Sequence, residues 1–282
     1  MDLLNLEIFV IAAQELSITR TASRLQRAQS NISTRIQQLE QQLNATLFFR
    51  DSRQLRLTPQ GQTFLRYSQQ LLALSREAKQ ALHPNEPQGV LRIGSMESTA
   101  ASRLPRVLAS YQQRWPEVEL HVQTAPSSEL MEHVLDYKLD CAFIALQQPE
   151  LPALLEGIPV FTEELMLILP QRYSNWTKSS ELPIKRLACF RQGCTYRAYL
   201  EHYFSDQQPL TLQEVGSYHA VLACAAAGTC IGVLPRSVLA LQHPDAAISA
   251  LPLGCIDTYL IWRKNQQNST VSQLQHALTH RQ

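Results

Sequence analysis

The chain has no cysteine before residue 141, and its six cysteines (Cys141, Cys189, Cys194, Cys224, Cys230 and Cys255) form no Cys-x-x-Cys pair. Neither a structural zinc site nor a disulfide framework is expected from that spacing, and the thiols are read as reduced. No apolar run reaches the roughly 18 residues that a membrane helix needs, and the first eleven residues carry Asp2 and Glu7 where a secretory leader would be basic and then apolar. A cytoplasmic protein without membrane contact is the expectation. The parts of an enzyme are missing too: there is no Gly-x-Ser-x-Gly, no P-loop and no His-Glu-x-x-His, and the eight histidines are scattered. No catalytic residue, cofactor or metal is therefore expected.

What remains is a chain of 282 residues, 45% hydrophobic and 17% charged, enough for two or three compact units with real cores. Its net charge of +1 is unevenly spread. Residues 1–82 hold 10 Lys and Arg against 6 Asp and Glu; residues 83–282 hold 15 against 18. A basic N-terminal part suits nucleic acid, although the excess is modest.

Leu3, Leu6, Phe9, Val10 and Ala13 recur at helical spacing, predicting an amphipathic helix that ends near Leu16. Ser17 then caps a short helix over 18–25 that exposes Thr19, Arg20 and Arg24, and a tight turn at 26–28 leads into a third helix over 29–43. Two short helices joined by a tight turn form a helix-turn-helix. At about 100° per residue, Ile32, Ile36, Leu39 and Leu43 fall in one stripe that must be buried. Opposite lie Ser30, Thr34, Gln37 and Gln41, flanked by Ser33 and Gln38, a small polar surface able to enter the major groove.

Residues 47–57 read as a β-hairpin wing whose Arg50, Arg53 and Arg56 suit phosphate contacts. Thr58 and Pro59 then open a long helix as N-cap and first helical residue. In it Phe64, Tyr67, Leu71, Leu74, Ala78 and Ala81 alternate three and four apart, the seam of a coiled coil that needs a partner. A two-fold dimer would present two recognition helices to a pseudo-palindromic operator in double-stranded DNA.

The run Ser17-Ile18-Thr19-Arg20-Thr21-Ala22-Ser23-Arg24-Leu25, with Gln29, Ser30, Ser33, Ile36, Leu39, Glu40, Leu47, Phe48, Arg50 and Leu57-Thr58-Pro59-Gln60-Gly61, closely resembles the LysR-type regulator signature. That resemblance implies a winged helix-turn-helix over 1–58, a dimerising linker helix over 59–82, a hinge over 83–89 and an effector-binding domain over 90–282. It makes Gln29, Ser30, Ser33 and Thr34 the groove contacts, to which the residue reading adds Thr19, Arg20, Arg35, Gln37, Arg50 and Arg53 as DNA contacts, with homodimers or homotetramers and RNA polymerase as further partners. Three positions depart from the usual pattern: Ala28 stands for serine, Thr34 for arginine and Asn44 for glycine. Asn44 tolerates a left-handed backbone, so the bend there is expected to survive. The missing arginine at Thr34 is a lost guanine reader, for which Arg35 is the nearest substitute.

Beyond 89, apolar strands at 90–94, 120–122, 141–144, 165–169, 231–234 and 259–262 alternate with helical stretches, the pattern of α/β units. The resemblance implies an overall α/β chain whose C-terminal part is two-lobed like periplasmic solute-binding proteins, lobe I from 90–162 and 263–282, lobe II from 163–262. Such folds bind ligands beyond the carboxyl ends of strands, where helix N-termini gather. Strand ends nominate Ser95, Glu97, Ser98, Thr99, Thr124, Ser127, Ser128, Phe143, Cys194, Tyr196, Arg197, Ser217, Tyr218 and His219 as effector contacts.

Small hydroxyl residues at helix starts also serve as plain N-caps, and Glu97 either caps a helix or pairs with a cationic ligand group. The stretches 94–100, 193–197 and 217–219 look similar to the branch of the family that controls putrescine use, which implies a diamine or another amine-derived effector. A second reading makes Cys194 a redox centre, since the peroxide-sensing branch carries its reactive cysteine in this loop and Arg191 and Arg197 stand near in sequence.

Overall fold

The computed structural model describes all residues except 52–53, 83–85, 149, 178–181, 183, 206–209, 243–246 and 280–282, with residues 50, 51 and 54 described by backbone alone. Arg53 and residues 83–85 of the expected hinge thus lie outside the described residues. The chain divides into two compact units, one of Met1–Pro84 with Asp136–Lys138, the other of Asn85–Leu135 with Leu139–Gln282.

In the first unit α1 (Leu3–Glu15) starts on Asp2, whose carboxylate accepts from the Asn5 amide at 2.7 Å, and ends at Leu16 in the left-handed region. Helix α2 (Ile18–Arg24) is capped by Ser17, and α3 (Gln29–Leu43) ends at Asn44 with φ 46°, the bend that an asparagine can adopt. Strands β1 (Phe48–Asp51) and β2 (Gln54–Leu57) pair antiparallel as the wing. Ile32, Ile36 and Leu39 are buried with Ile8, Phe9, Ala12, Ala22, Leu47 and Phe48.

Helix α4 (Pro59–Ala81) follows, capped by Thr58, which accepts from the Gly61 amide at 2.9 Å and donates to the Thr46 carbonyl at 2.7 Å. Gly61 is needed there because a Cβ would stand 2.1 Å from the Leu47 carbonyl oxygen. The expected seam splits: Phe64 turns inward against Phe9, ring centroids 5.2 Å apart, while Tyr67, Leu71, Leu74, Ala78 and Ala81 stay exposed.

The second unit holds one eight-stranded sheet in the order β4-β3-β5-β10-β6-β9-β7-β8. Its first half takes β3 (Gly89–Ser95), β4 (Val118–Thr124) and β5 (Cys141–Leu146), with α5 (Glu97–Ser102), α6 (Leu104–Arg114), α7 (Ser127–Leu135) and the last helix, α11 (Ser269–Thr279). The other half takes β7 (Arg186–Cys189), β8 (Thr211–Glu214) and β9 (Ile231–Pro235), with α8 (Thr195–Tyr203), α9 (Tyr218–Ala226) and α10 (Arg236–Leu239). Strands β6 (Leu155–Pro170) and β10 (Ile248–Arg263), sixteen residues each, run antiparallel through both halves. Around them β3 pairs parallel with β4 and β5, and β7 pairs parallel with β8 and β9.

The long strands correct the expected lobe boundary. Residues 257–262, assigned to lobe II, pair with 146–141 of β5 in the first half, because β10 crosses over with register shifts at Pro252/Gly254 and Thr258/Tyr259.

The two halves also share a polar tie. Glu163 on β6 is 2% exposed, accepts from Arg103 Nε at 2.6 Å and from the Ser237 hydroxyl at 2.7 Å, and Ser237 lies 3.1 Å from Ser102. Ser102 and Arg103 end α5 in one half; Ser237 belongs to α10 in the other.

Candidate functional site: an effector cleft and a DNA-reading face

Residues at the carboxyl ends of β3, β4, β7 and β8 and at the starts of α5, α7, α8 and α9 converge on a cavity of about 420 Å³. That size falls within the range of small-metabolite sites. Its lining combines apolar Met96, Ala125, Pro126, Phe190 and Val215 with polar Glu97, Thr124, Ser127, Arg191, Cys194, Thr195, Tyr196, Glu214 and Tyr218.

Several polar atoms here are buried with few or no partners among the described residues. Glu97 Oε2 and the Thr99 hydroxyl are buried without a hydrogen-bond partner among the described residues, and the buried hydroxyls of Ser98, Tyr196 and Thr258 meet one another without hydrogen bonds of normal geometry. Native interiors leave few such groups, since each costs about 1–3 kcal/mol. Desolvation by burial pushes the phenols of Tyr196 and Tyr218 well above their usual range, and contact with the Ser98 hydroxyl works against that rise at both. Burial likewise raises the Glu97 carboxyl, while His219 lowers it from outside.

Of the sequence-nominated contacts, the structure brings Glu97, Thr124, Ser127, Cys194, Tyr196 and Tyr218 to the lining. Ser98 and Thr99 are buried at the start of α5, outside the lining itself. The other six are corrections. Ser95 is fully buried and donates to the Met96 carbonyl at 2.9 Å. Ser128 packs under Gly193, whose φ of +91° and missing Cβ let it approach the Ser128 hydroxyl. Phe143 lies in the core against Phe161, because β5 is covered on both faces. Arg197 is held by Glu201 at 3.1 Å, Glu214 at 2.8 Å and the Phe190 carbonyl at 3.2 Å. Ser217 caps α9 through the Ala220 amide, and His219 is exposed.

Sequence reasoning missed Met96, Ala125, Pro126, Phe190, Arg191, Glu214, Val215 and Gly216, while Thr195 falls in the 192–197 loop that it placed along the cleft. Most are apolar or lie beside the residues that were chosen, so no signal beyond adjacency to a strand end marked them.

Cys194 starts α8 in a setting that disfavours a thiolate. Burial raises its thiol, more than the amides of Arg197 and Tyr196 lower it. Arg191 is paired with Glu129 at 2.5 Å, and Arg197 is held as above.

In the first unit, Ser30, Thr34, Gln37, Gln38 and Gln41 are exposed along one side of α3, with Ser33 half-buried. Gln29 accepts from the Thr19 hydroxyl at 3.2 Å, tying the start of α3 to α2. Arg20, two-thirds exposed, pairs with Glu15 at 3.3 Å. Arg35 does not join that face: its guanidinium reaches Asn5 at 3.1 Å and Asp2 at 3.6 Å. The reason is angular, since Arg35 sits more than 100° around the helix from Ser30 and beside the buried stripe. Arg50 is described only as a β1 backbone position.

Residues 3–62 match the family described as bacterial regulatory helix-turn-helix protein, lysR family, and residues 84–282 match the LysR substrate binding domain. The chain belongs to the LysR family. It is 37% identical over 274 residues to the HTH-type transcriptional regulator GltR of Bacillus subtilis, covering 94% of this chain and 91% of that one. It is 33% identical to CzcR of the same organism, covering 100% and 98%.

Among solved structures, full-length OxyR from Pseudomonas aeruginosa superposes with a TM-score of 0.76 at 22% identity, over 99% of this chain and 95% of that one. CbnR complexed with its target DNA gives 0.68 at 21%, over 99% of both. This LysR-type chain is thus a DNA-binding transcriptional regulator with an effector-binding domain. Among its described residues no helix is long and apolar enough to cross a membrane.

Proposed function

We infer that this regulator reads a pseudo-palindromic operator through the exposed side of α3 and is controlled by a small amine-bearing metabolite in the cleft of its second unit. The supporting observation is the set of buried, unpartnered polar atoms around the cavity, Glu97 Oε2 foremost, whose missing partners a ligand would supply. Ser30, Thr34 and Gln37 make the base contacts; Arg20, Arg50 and Arg53 bind phosphate. The exposed row Tyr67, Leu71 and Leu74 on α4 supports a dimer, and pairs of dimers form the tetramer.

Effector binding shifts the population between arrangements of the second unit's halves, which alters DNA bending and access for RNA polymerase in the cytoplasm. The chain acts as a switch and carries out no reaction of its own. Footprinting of the purified protein upstream of its own gene and the divergent neighbour, with and without a panel of amines and organic acids, tests this. Two protected sites whose extent changes with one amine are expected; no protection at low salt overturns the reading.

A further inference from the structure

Glu97 gives the cleft one anionic pole, and the rest of the lining has the opposite character. Helices α7, α8 and α9, nine residues each, aim their N-termini at the cavity, where Ser127, Thr195 and Tyr218 line it. Each helix start carries about half a positive charge. Cys194 gives α8 no side-chain cap. Tyr196, in the first turn of α8 and only 2% exposed, also lines the cavity, and its hydroxyl meets only the neutral hydroxyls of Ser98 and Thr258, with no hydrogen bond of normal geometry among the described residues. These features call for an anion with several acceptor atoms. The second acid on the lining, Glu214, is exposed and already bonded to Arg197 at 2.8 Å.

From this we propose that the effector is an amino acid or a close amino-carboxylate, its ammonium against Glu97 and its carboxylate against the N-terminus of α8 and the Tyr196 hydroxyl. The inference rests on the cleft being the effector site, as argued above. It narrows the amine class: a diamine would satisfy Glu97 with one end and press its second ammonium toward three positive helix starts, with no unpaired carboxylate to receive it. Burial of the Glu97 carboxyl agrees, because an ammonium beside it restores the charge that desolvation disfavours.

The experiment is calorimetric titration of the full-length protein with the common L-amino acids, and for each that binds, with its des-amino and decarboxylated counterparts. L-phenylalanine, 3-phenylpropanoate and 2-phenylethylamine form one such series; L-leucine, 4-methylpentanoate and 3-methylbutylamine form another, with L-ornithine and putrescine titrated beside them as an amino acid and its diamine. At least one amino acid is expected to bind at least tenfold more tightly than either counterpart. Glu97→Gln, nearly isosteric at a partly buried position, should fold as the parent does and erase the preference over the des-amino acid. Tyr196→Phe should weaken the amino acid and the des-amino acid alike, leaving the decarboxylated amine unchanged.

Putrescine binding as tightly as ornithine overturns the proposal, as does a Glu97→Gln protein that keeps its preference. If no amino acid binds, it is overturned too. A footprint that still responds to a cell's small-molecule extract would then leave the cleft reading standing, and one that does not respond would remove both.

Discussion

Replacing Glu163 by alanine tests how the two halves of the effector-binding unit are held. Its carboxylate is 2% exposed, takes Arg103 Nε at 2.6 Å and the Ser237 hydroxyl at 2.7 Å, and so joins α5, α10 and the crossing strand β6. Breaking a buried ion pair by removing one partner costs about 3–5 kcal/mol. Here the orphaned Arg103 side chain is one-third exposed and regains water, so about 2–3 kcal/mol is the expected loss. For a unit of this size that lowers Tm by roughly 4–12 °C. Glu163→Gln keeps an acceptor for Ser237 and should cost about 1 kcal/mol.

The three tryptophans, Trp115, Trp176 and Trp262, all lie in the second unit, so urea unfolding followed by tryptophan fluorescence reports on it in the intact chain. A Glu163→Ala midpoint within about 0.5 kcal/mol of the parent would refute the argument that this tie is desolvated and stabilising.

Glu97→Gln should stabilise the ligand-free protein. The folded carboxyl titrates above its ordinary value, so its contribution is full at pH below about 4.5 and is lost as pH rises through the raised value. Near pH 7.5 the variant should gain up to about 1 kcal/mol, discounted for partial exposure, and near pH 5 less, read by thermal melts at both. Thr58→Ala removes the cap of α4 and its bond to Thr46; amide exchange over 59–65 should quicken by about fivefold, from a loss of about 1 kcal/mol. Gln37→Ala should cut discrimination between operator and scrambled DNA about tenfold in mobility shifts, whereas Arg35→Ala should leave the ratio intact and only loosen α1. Relaxed specificity in Arg35→Ala would put that arginine in the groove after all.

The first unit was legible because its signals are local. Caps at Ser17 and Thr58, the stripe Ile32, Ile36 and Leu39, and the left-handed Asn44 each follow from neighbours within one helical turn. The second unit depends on distant pairings. Strands β6 and β10 were read as five- and four-residue segments, since Pro159, Pro252 and Gly254 look like breaks although a sixteen-residue ladder carries them through bulges. Strand ends located the cleft, yet the identity of each lining residue turned on packing. Phe143 sits on a strand buried on both faces, where alternation says nothing about direction. Arg197 had a warning in the sequence, Glu201 four residues on, the spacing at which a helix pairs opposite charges.

What no local pattern could show is that α5, six residues long, begins at Glu97 on the cleft and ends at Ser102 and Arg103 on the tie to Glu163 and Ser237. On the reading proposed above, a ligand group meets one end of a helix whose other end is bonded to Ser237 and Glu163. Packed elements of this kind move as rigid bodies between discrete arrangements instead of deforming smoothly. On the proposed reading, the contact to a ligand and the contact that holds the halves together share one short helix, and Glu97→Gln combined with Glu163→Gln should then show non-additive stability in the presence of the effector.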